Sequence, residues 1–582
     1  MSVSNGRLAV SSEAYVFPAS FAQQRMWFMC QLNPRAHRAY HMSGAFDVDG
    51  TLDVDVLRAA AEILVERHEV LRTRFVLFDE DERQLGGELC QVVEPEGSLP
   101  VDTVAVPDGQ WEAELADDPP LDLDALPLAR MRLLTDSSGQ QMLQFTAHHI
   151  VCDGWSVAVF FDELATVYGA IAAGRPPGLP AAALQYVDFS EWQREQTDGL
   201  IEDLAYWRTR LADTPPLALP SDRERPPLPS FRGGRIPVHL PAPLAAAVAR
   251  FASTERATPF QVLLSAYQVL FARRSGQPDF GIGTPVAGRG RPELERGIGV
   301  FVNTVVLRAD LSGDPTYREL VRRVRDASLD DFAHQDVPFE QVVAQVAPDR
   351  DLRRSALFQV FFAMQNTPAP VVELPGARLT AREVPRDTAM FDLRLALRPD
   401  GDALDGWLEF NADLFDEDTA RRMAIEWLDI VEELLDEPDA KVRFDRAALT
   451  APTRPATATA AGDDRPRGPR TPLEAELAAI FCTLLGRDEL DIRASFFDLG
   501  GNSLLAVRAM RQIRRAMRVA VPVETIFALT SVEQLAEAIE APEILAGTPD
   551  SEGIRVDIES MWRHENRPAD QPATTQPEGD HR

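Results

Sequence analysis

At 582 residues the chain is too long for a single hydrophobic core and is expected to hold about two to four domains. Its apolar fraction of 45% is ordinary for a globular protein, and no apolar run of about 18 residues marks a membrane span. A net charge of −32 argues against nucleic acid as a partner, and four scattered cysteines without a CxxC pair fit a reducing cytoplasm rather than a disulfide framework.

Residues 1–13 read as a tail without the basic-then-apolar pattern of a signal peptide, which points to a cytoplasmic protein. From Ala14 to Leu449 helical and strand patterns mix without an internal repeat. Leu57, Ala61, Leu64 and His68 form one stripe of an amphipathic helix, and Val70 to Leu77 then alternates like a strand. Met142 to Ala147 has the content of a buried strand, whereas Val157 to Leu164 returns to helical spacing. Further strands or strand ends are expected over Gly281 to Val286 and Phe301 to Arg308.

Between the buried strand and the helix stands His148-His149-Ile150-Val151-Cys152-Asp153-Gly154. Strand ends present reactive groups from a rigid scaffold, so an imidazole here is placed for acid–base work. A hydrogen-bonded core histidine is the plainer reading of such a residue. Successive strand residues point to opposite faces, so the two rings cannot share one ion without a break in the strand. No Cys or His at a recognised spacing completes a ligand set, and no metal is expected. One histidine is left facing a cavity and the other the core. Asp153 holds the turn or pairs with a distant cation, and Gly154 makes the bend.

Residues 450–470, rich in Pro, Ala, Thr and Gly, read as a flexible linker. A compact unit follows over 471–541. Thr471-Pro472 starts a helix whose apolar face is Leu473, Leu477, Ile480, Phe481 and Leu484, ending near Gly486. Gly500-Gly501 allows a tight turn before Ser503, which begins a helix with Leu504, Val507 and Ile513 on its apolar face. Ser503 suits an N-cap, and a helix N-terminus also suits a phosphate ester on that hydroxyl. Residues 542–582 read as a mostly disordered tail, in which the alternation from Gly553 to Glu559 is a possible docking strand for a partner.

The small unit resembles the peptidyl carrier (thiolation) domain of non-ribosomal peptide synthetases through Phe496-Phe497-Asp498-Leu499-Gly500-Gly501-Asn502-Ser503-Leu504. Residues 14–449 resemble a condensation domain of the same assembly lines. The resemblance rests on SFAQQRMWF at 20–28, RHEVLRTRF at 67–75, AHHIVCDGWS at 147–156 and YVDFSEW at 186–192. It continues through GIGVFVNT at 297–304, HQDVPFE at 334–340 and RDLRRSALFQV at 350–360.

The fold this resemblance implies is an α/β (α+β) condensation domain of two chloramphenicol-acetyltransferase-like halves in a V, about 14–180 and 181–449, followed by a small all-α four-helix carrier domain. It implies an active-site tunnel between the halves, with His149 as the catalytic histidine that orients or deprotonates the acceptor amine. By the same carry-over His148 and Asp153 are architectural members of the catalytic motif, and Gly154 lets the acceptor arm approach the backbone. Arg289 is the cation expected beside Asp153. Ala147 departs from the bulkier residue the family often has. Cys152 is expected to be core packing. The cofactor implied is 4′-phosphopantetheine attached covalently to Ser503.

DGWS precedes the carrier, which favours a domain joining an L-configured donor over an epimerisation relative. The cyclising relatives replace the His pair with aspartates. Neither an adenylation domain nor a GxSxG elbow nor a P-loop is found. The implied partners are therefore an upstream donor carrier in trans, a separate adenylation enzyme and a phosphopantetheinyl transferase, with downstream synthetase or tailoring enzymes beyond them. The expected reaction is amide formation, an acyl transfer in the biosynthesis of an antibiotic or another secondary metabolite. Ester formation or acyl transfer to an alcohol or free amine uses the same histidine. A non-catalytic carrier or docking scaffold is the remaining alternative.

Overall fold

The computed structural model describes residues 13–78, 88–182, 184–226, 228–346, 353–365, 371–384, 386–445, 467–496, 499, 501, 503–517, 521 and 525–540. The chain forms two compact units. The N-terminal tail to residue 12, most of the expected linker and the C-terminal tail lie outside the described residues.

The site is carried by a six-stranded sheet of the larger unit. Its order is Val371–Leu374, Ala377–Arg382, His41–Gly50, Gln141–His148, Ala129–Asp136 and Val101–Val106. Gln141–His148 is central and antiparallel to both neighbours, with His148 opposite His41 and Ala147 opposite both Met42 and Ala129. Alternation aims Phe145 and Phe46 at one face, where they pack on Phe160 and Phe161 of helix Gly154–Ala172. That helix is long and apolar enough to cross a membrane by composition, and half of its most apolar window is buried inside the protein. It serves as a core helix alongside Val54–Arg67.

Two of these six strands come from far along the chain. Residues 371–382 form a hairpin turned at Pro375-Gly376, where Gly376 takes φ +83°. The hairpin pairs with His41–Gly50, and Val372, Leu374 and Leu379 are buried. The expected division of the condensation region into a first and a second half is thus crossed by this hairpin.

The second six-stranded sheet runs Asn303–Asp310, Asp279–Val286, Val360–Met364, Leu393–Asp400, Ala403–Asn411, Gly233–Leu240. Helix Pro259–Ser275 is covered almost all round, between a Thr258 capping box and a left-handed Gly276. A three-stranded sheet of Tyr15–Pro18, Leu89–Val93 and Thr73–Leu77 completes the unit.

Most expected elements have their counterparts, with two differences. The expected helix runs from Val54 to Arg67, capped by Asp53. The strand expected from Val70 begins only at Thr73, because Glu69–Arg72 forms a 3-10 turn in which Leu71 N–H donates to His68 O and Thr73 Oγ1 to Glu69 O. Likewise Phe301 and Val302 precede the strand Asn303–Asp310, since their N–H groups are engaged elsewhere.

Towards the C-terminus the chain forms the helices Pro472–Leu485, Ser503–Met517, Thr525–Ala528 and Val532–Glu540. Thr471 caps the first helix and Gly486, at φ +63°, ends it, with Leu477, Phe481 and Leu484 buried. Phe481 meets Phe496 edge-on at 4.6 Å, and Val507 and Ile513 are buried on the Ser503–Met517 helix.

Candidate active site

At His148 the central strand ends in a tight turn. His148 N–H donates to Leu128 O at 2.9 Å and His149 N–H to Tyr40 O at 2.8 Å, so both sides of the strand end are held. Val151 N–H then returns to His148 O at 3.0 Å, and Asp153 caps helix Gly154–Ala172.

The two rings occupy different environments. His148 is fully buried, and its Nδ1 accepts the Ile150 N–H at 3.1 Å. Nε2 therefore carries the proton and lies 3.7 Å from Cys30 Sγ. Burial, with the nearby rings of His41, His37 and His149, pushes its pKa well below the ordinary histidine value. His149 is partly exposed. Burial lowers its pKa too, against the raising influence of the Asp153 carboxylate and the adjacent backbone, with Arg25 adding to the lowering. Its Nδ1 is buried without a well-formed hydrogen bond.

Asp153 is 2% exposed. Its Oδ1 accepts from Ser156 N–H at 2.8 Å and lies 2.7 Å from Ser156 Oγ and 3.1 Å from Arg289 Nη2. Oδ2 accepts from Phe301 N–H at 2.9 Å and Val302 N–H at 3.2 Å. Arg289 also donates to Ser156 Oγ at 2.8 Å, to Gly297 O at 2.9 Å and to Leu294 O, and stacks over Phe301 with its guanidinium carbon 4.1 Å from the ring centre. Gly288 brings the chain into this corner at φ +65°, where a Cβ would strike Phe301 O.

Gly154 does not bend the chain, contrary to the sequence expectation. It is an ordinary first helical residue, and a Cβ there would meet nothing within 4 Å. Open space, not backbone strain, is what this glycine leaves. Cys152 is buried, and its thiol is pushed well up by burial.

The structure thus gathers His148, His149, Asp153, Gly154 and Arg289. Ser503 opens its own helix, Ser503–Met517, whose first turn holds no acidic residue. The N-terminus of a helix suits a phosphate ester.

Sequence reasoning missed several supports. Ser156 was visible as the third residue after a capping Asp. Tyr186 is buried, lies 2.8 Å from Ser20 Oγ and donates to Val300 O at 3.0 Å, pinning the segment that feeds Asp153. Gln23 donates to Ile150 O at 3.3 Å and to Gln91 Oε1 at 3.0 Å. Cys30 and His37, more than a hundred residues from His148 in sequence, meet it in space.

Known proteins place this arrangement. The family described as "Condensation domain" matches residues 13–448, and "Phosphopantetheine attachment site" matches 475–539. One of the linear gramicidin synthase proteins of Brevibacillus parabrevis is 41% identical over 421 residues, 70% of this chain and 5% of that protein. A second protein of the same synthase is 38% identical over 446 residues, 74% of this chain and 8% of that protein. Among solved structures, the X-domain from teicoplanin biosynthesis superposes with a TM-score of 0.67 at 30% identity, covering 73% of this chain and 96% of that one. The chain belongs to the condensation-domain family of non-ribosomal peptide synthetases, with the chloramphenicol-acetyltransferase-like fold, and carries a phosphopantetheine attachment domain after it. The chain spans less than a tenth of the length of the two gramicidin synthase proteins it matches. Enzymes of the condensation family form amide bonds, and the cofactor of the second domain is 4′-phosphopantetheine, carried on a serine.

Proposed function

We propose that this didomain joins a donor acyl or peptidyl thioester, delivered on a partner carrier, to an acceptor amine held on the phosphopantetheine arm of Ser503. The condensation region takes residues 14–449, the linker 450–470 and the carrier 471–541. The observation that carries the reading is His149, partly exposed and low in basicity, at a strand end that Asp153 and Arg289 fix, beside the open space over Gly154.

With Nδ1 buried, proton transfer falls to Nε2. The amine nitrogen attacks the thioester carbonyl carbon, and the carbon–sulfur bond breaks as the tetrahedral intermediate collapses. The proton lost from nitrogen passes to Nε2 of His149 and on to the departing thiolate. A neutral imidazole is the form that can accept it, and the lowered pKa keeps the ring neutral near pH 7. Asp153, satisfied by Arg289, Ser156 and the 301–302 backbone, positions the turn. The arm supplies a flexible thioester tether when attached.

Only residues 449–474 separate the two matched regions, which supports loading of Ser503 by an adenylation enzyme outside this chain. The arm itself comes from a phosphopantetheinyl transferase acting with coenzyme A, in the cytoplasm.

The test is intact-protein mass spectrometry of the phosphopantetheinylated protein, with its arm charged and a donor thioester supplied. His149→Ala is expected to slow transfer about 100-fold or more, the scale of general acid–base catalysis. Undiminished product on Ser503 would sink the catalytic reading, and a phosphopantetheine mass gain that survives Ser503→Ala would sink the carrier assignment.

A further inference from the structure

Beneath the active-site turn lies a buried group that the reaction does not use. Cys30 on helix Phe21–Leu32, His37 on the turn Ala36–Ala39 and His148 present one ligand atom each, all within 4.8 Å of one another. Cys30 is 2% exposed, His148 is fully buried and His37 is partly exposed at the edge of the group. We infer that these three side chains form a zinc site whose occupancy disturbs His149.

The donor set is a thiol and two imidazoles, a combination that zinc and copper favour over magnesium or calcium. Zinc bond lengths of about 2.3 Å to sulfur and about 2.0 Å to nitrogen place S and N about 3.5 Å apart at a tetrahedral ion. Cys30 Sγ and His148 Nε2 already stand at 3.7 Å. His37 is oriented for the third position. Its Nδ1 donates to Leu121 O at 2.9 Å, which leaves the lone pair on Nε2 and supplies the outer hydrogen bond that zinc-bound histidines usually make. His41 stays outside: Asp118 Oδ2 occupies its Nδ1 at 2.9 Å, and the Leu121 N–H donates to its Nε2 at 3.3 Å. Three protein ligands leave the fourth position open.

Binding has a defined proton balance. The thiol proton of Cys30 leaves to solvent. The ring proton of His148 moves from Nε2 to Nδ1, where it faces the Ile150 N–H, and the 3.1 Å hydrogen bond between them breaks. Ile150 belongs to the turn that follows His149, and its carbonyl is held by Gln23. Zinc therefore loosens the segment that positions the catalytic ring. The consequence for transfer rests on the proposed role of His149, whereas the binding does not.

The experiment uses the untagged full-length chain with its arm attached. Equilibrium dialysis against Zn²⁺ with elemental analysis should find one ion per chain, weakened about 10-fold or more in Cys30→Ser and in His37→Gln, at least the cost of disturbing a ligand's supporting shell. Co²⁺ as a probe should give a thiolate charge-transfer band in the parent protein and none in Cys30→Ser. Transfer by the parent should fall with zinc and return with a chelator, while the rate of Cys30→Ser, whatever its zinc-free value, should not change when zinc is added. Parent-like zinc binding in both variants, or cobalt binding without a thiolate band, overturns the site. Zinc bound at these residues with undiminished transfer overturns the link to His149. Absence of transfer from zinc-free parent protein speaks against the reaction instead, and leaves the dialysis and cobalt measurements to decide the site.

Discussion

Asp153 has five donors within hydrogen-bond distance, so neither of its carboxylate oxygens is left without a partner. A buried carboxylate beside a buried guanidinium is costly to split, because whichever charge remains is left without its partner. Asp153→Asn and Arg289→Met are each expected to cost about 3–5 kcal/mol of stability. The double variant should cost less than their sum, since it leaves no orphaned charge. Urea unfolding of the four proteins provides the cycle, and simple additivity would count against a coupled pair. The pairing of Asp153 with a cation followed from charge and burial arguments, and the structure places Arg289 there. The 301–302 backbone donors were not legible, because their alternating residues read as strand whether or not the N–H groups belong to a ladder.

Helix Gly154–Ala172 links this corner to the end of helix Val54–Arg67 through Glu163. Fully buried, Glu163 accepts from Arg67 Nε at 2.9 Å and lies 2.7 Å from His68 Nε2. Burial opposes ionisation of its carboxyl, but His68 and Arg67 outweigh burial and hold its pKa below the usual carboxylate range. A carboxyl lowered in this way stabilises the fold above its unfolded pKa of about 4.3 and loses that contribution as pH falls through the folded value. Glu163→Gln should therefore cost on the order of 3 kcal/mol at pH 7, and the gap to the parent should narrow on acidification. Urea midpoints at neutral and acid pH measure it; a gap that is constant or widens refutes the assignment. The stripe Leu57, Ala61, Leu64 and His68 predicted this helix face, yet His68 lies just past the helix end as its C-cap. Periodicity shows which residues go inward, but not that the last one pairs with a carboxylate ninety-five residues on.

Two regions matched by separate families, each with its own buried apolar residues, imply two unfolding events. Unfolding enthalpy scales at about 0.7 kcal/mol per residue, so a carrier of about 70 residues should contribute about 50 kcal/mol, and the condensation region about 300 kcal/mol. Scanning calorimetry of the whole chain is expected to resolve a minor and a major transition of those proportions. A single transition would show that the units unfold together. The order of elements along the chain was readable because local spacing encodes it, whereas the hairpin 371–382 was not, since strand pairing over some 330 residues leaves no local trace. That hairpin limits how such a protein can be recombined. A chimera that imports residues 14–180 from a relative would seat a foreign strand against the resident hairpin at the Ala45–Gly50 register. Grafts that exchange this first segment should carry residues 371–382 along with it, so that both sides of the seam keep a common ancestry.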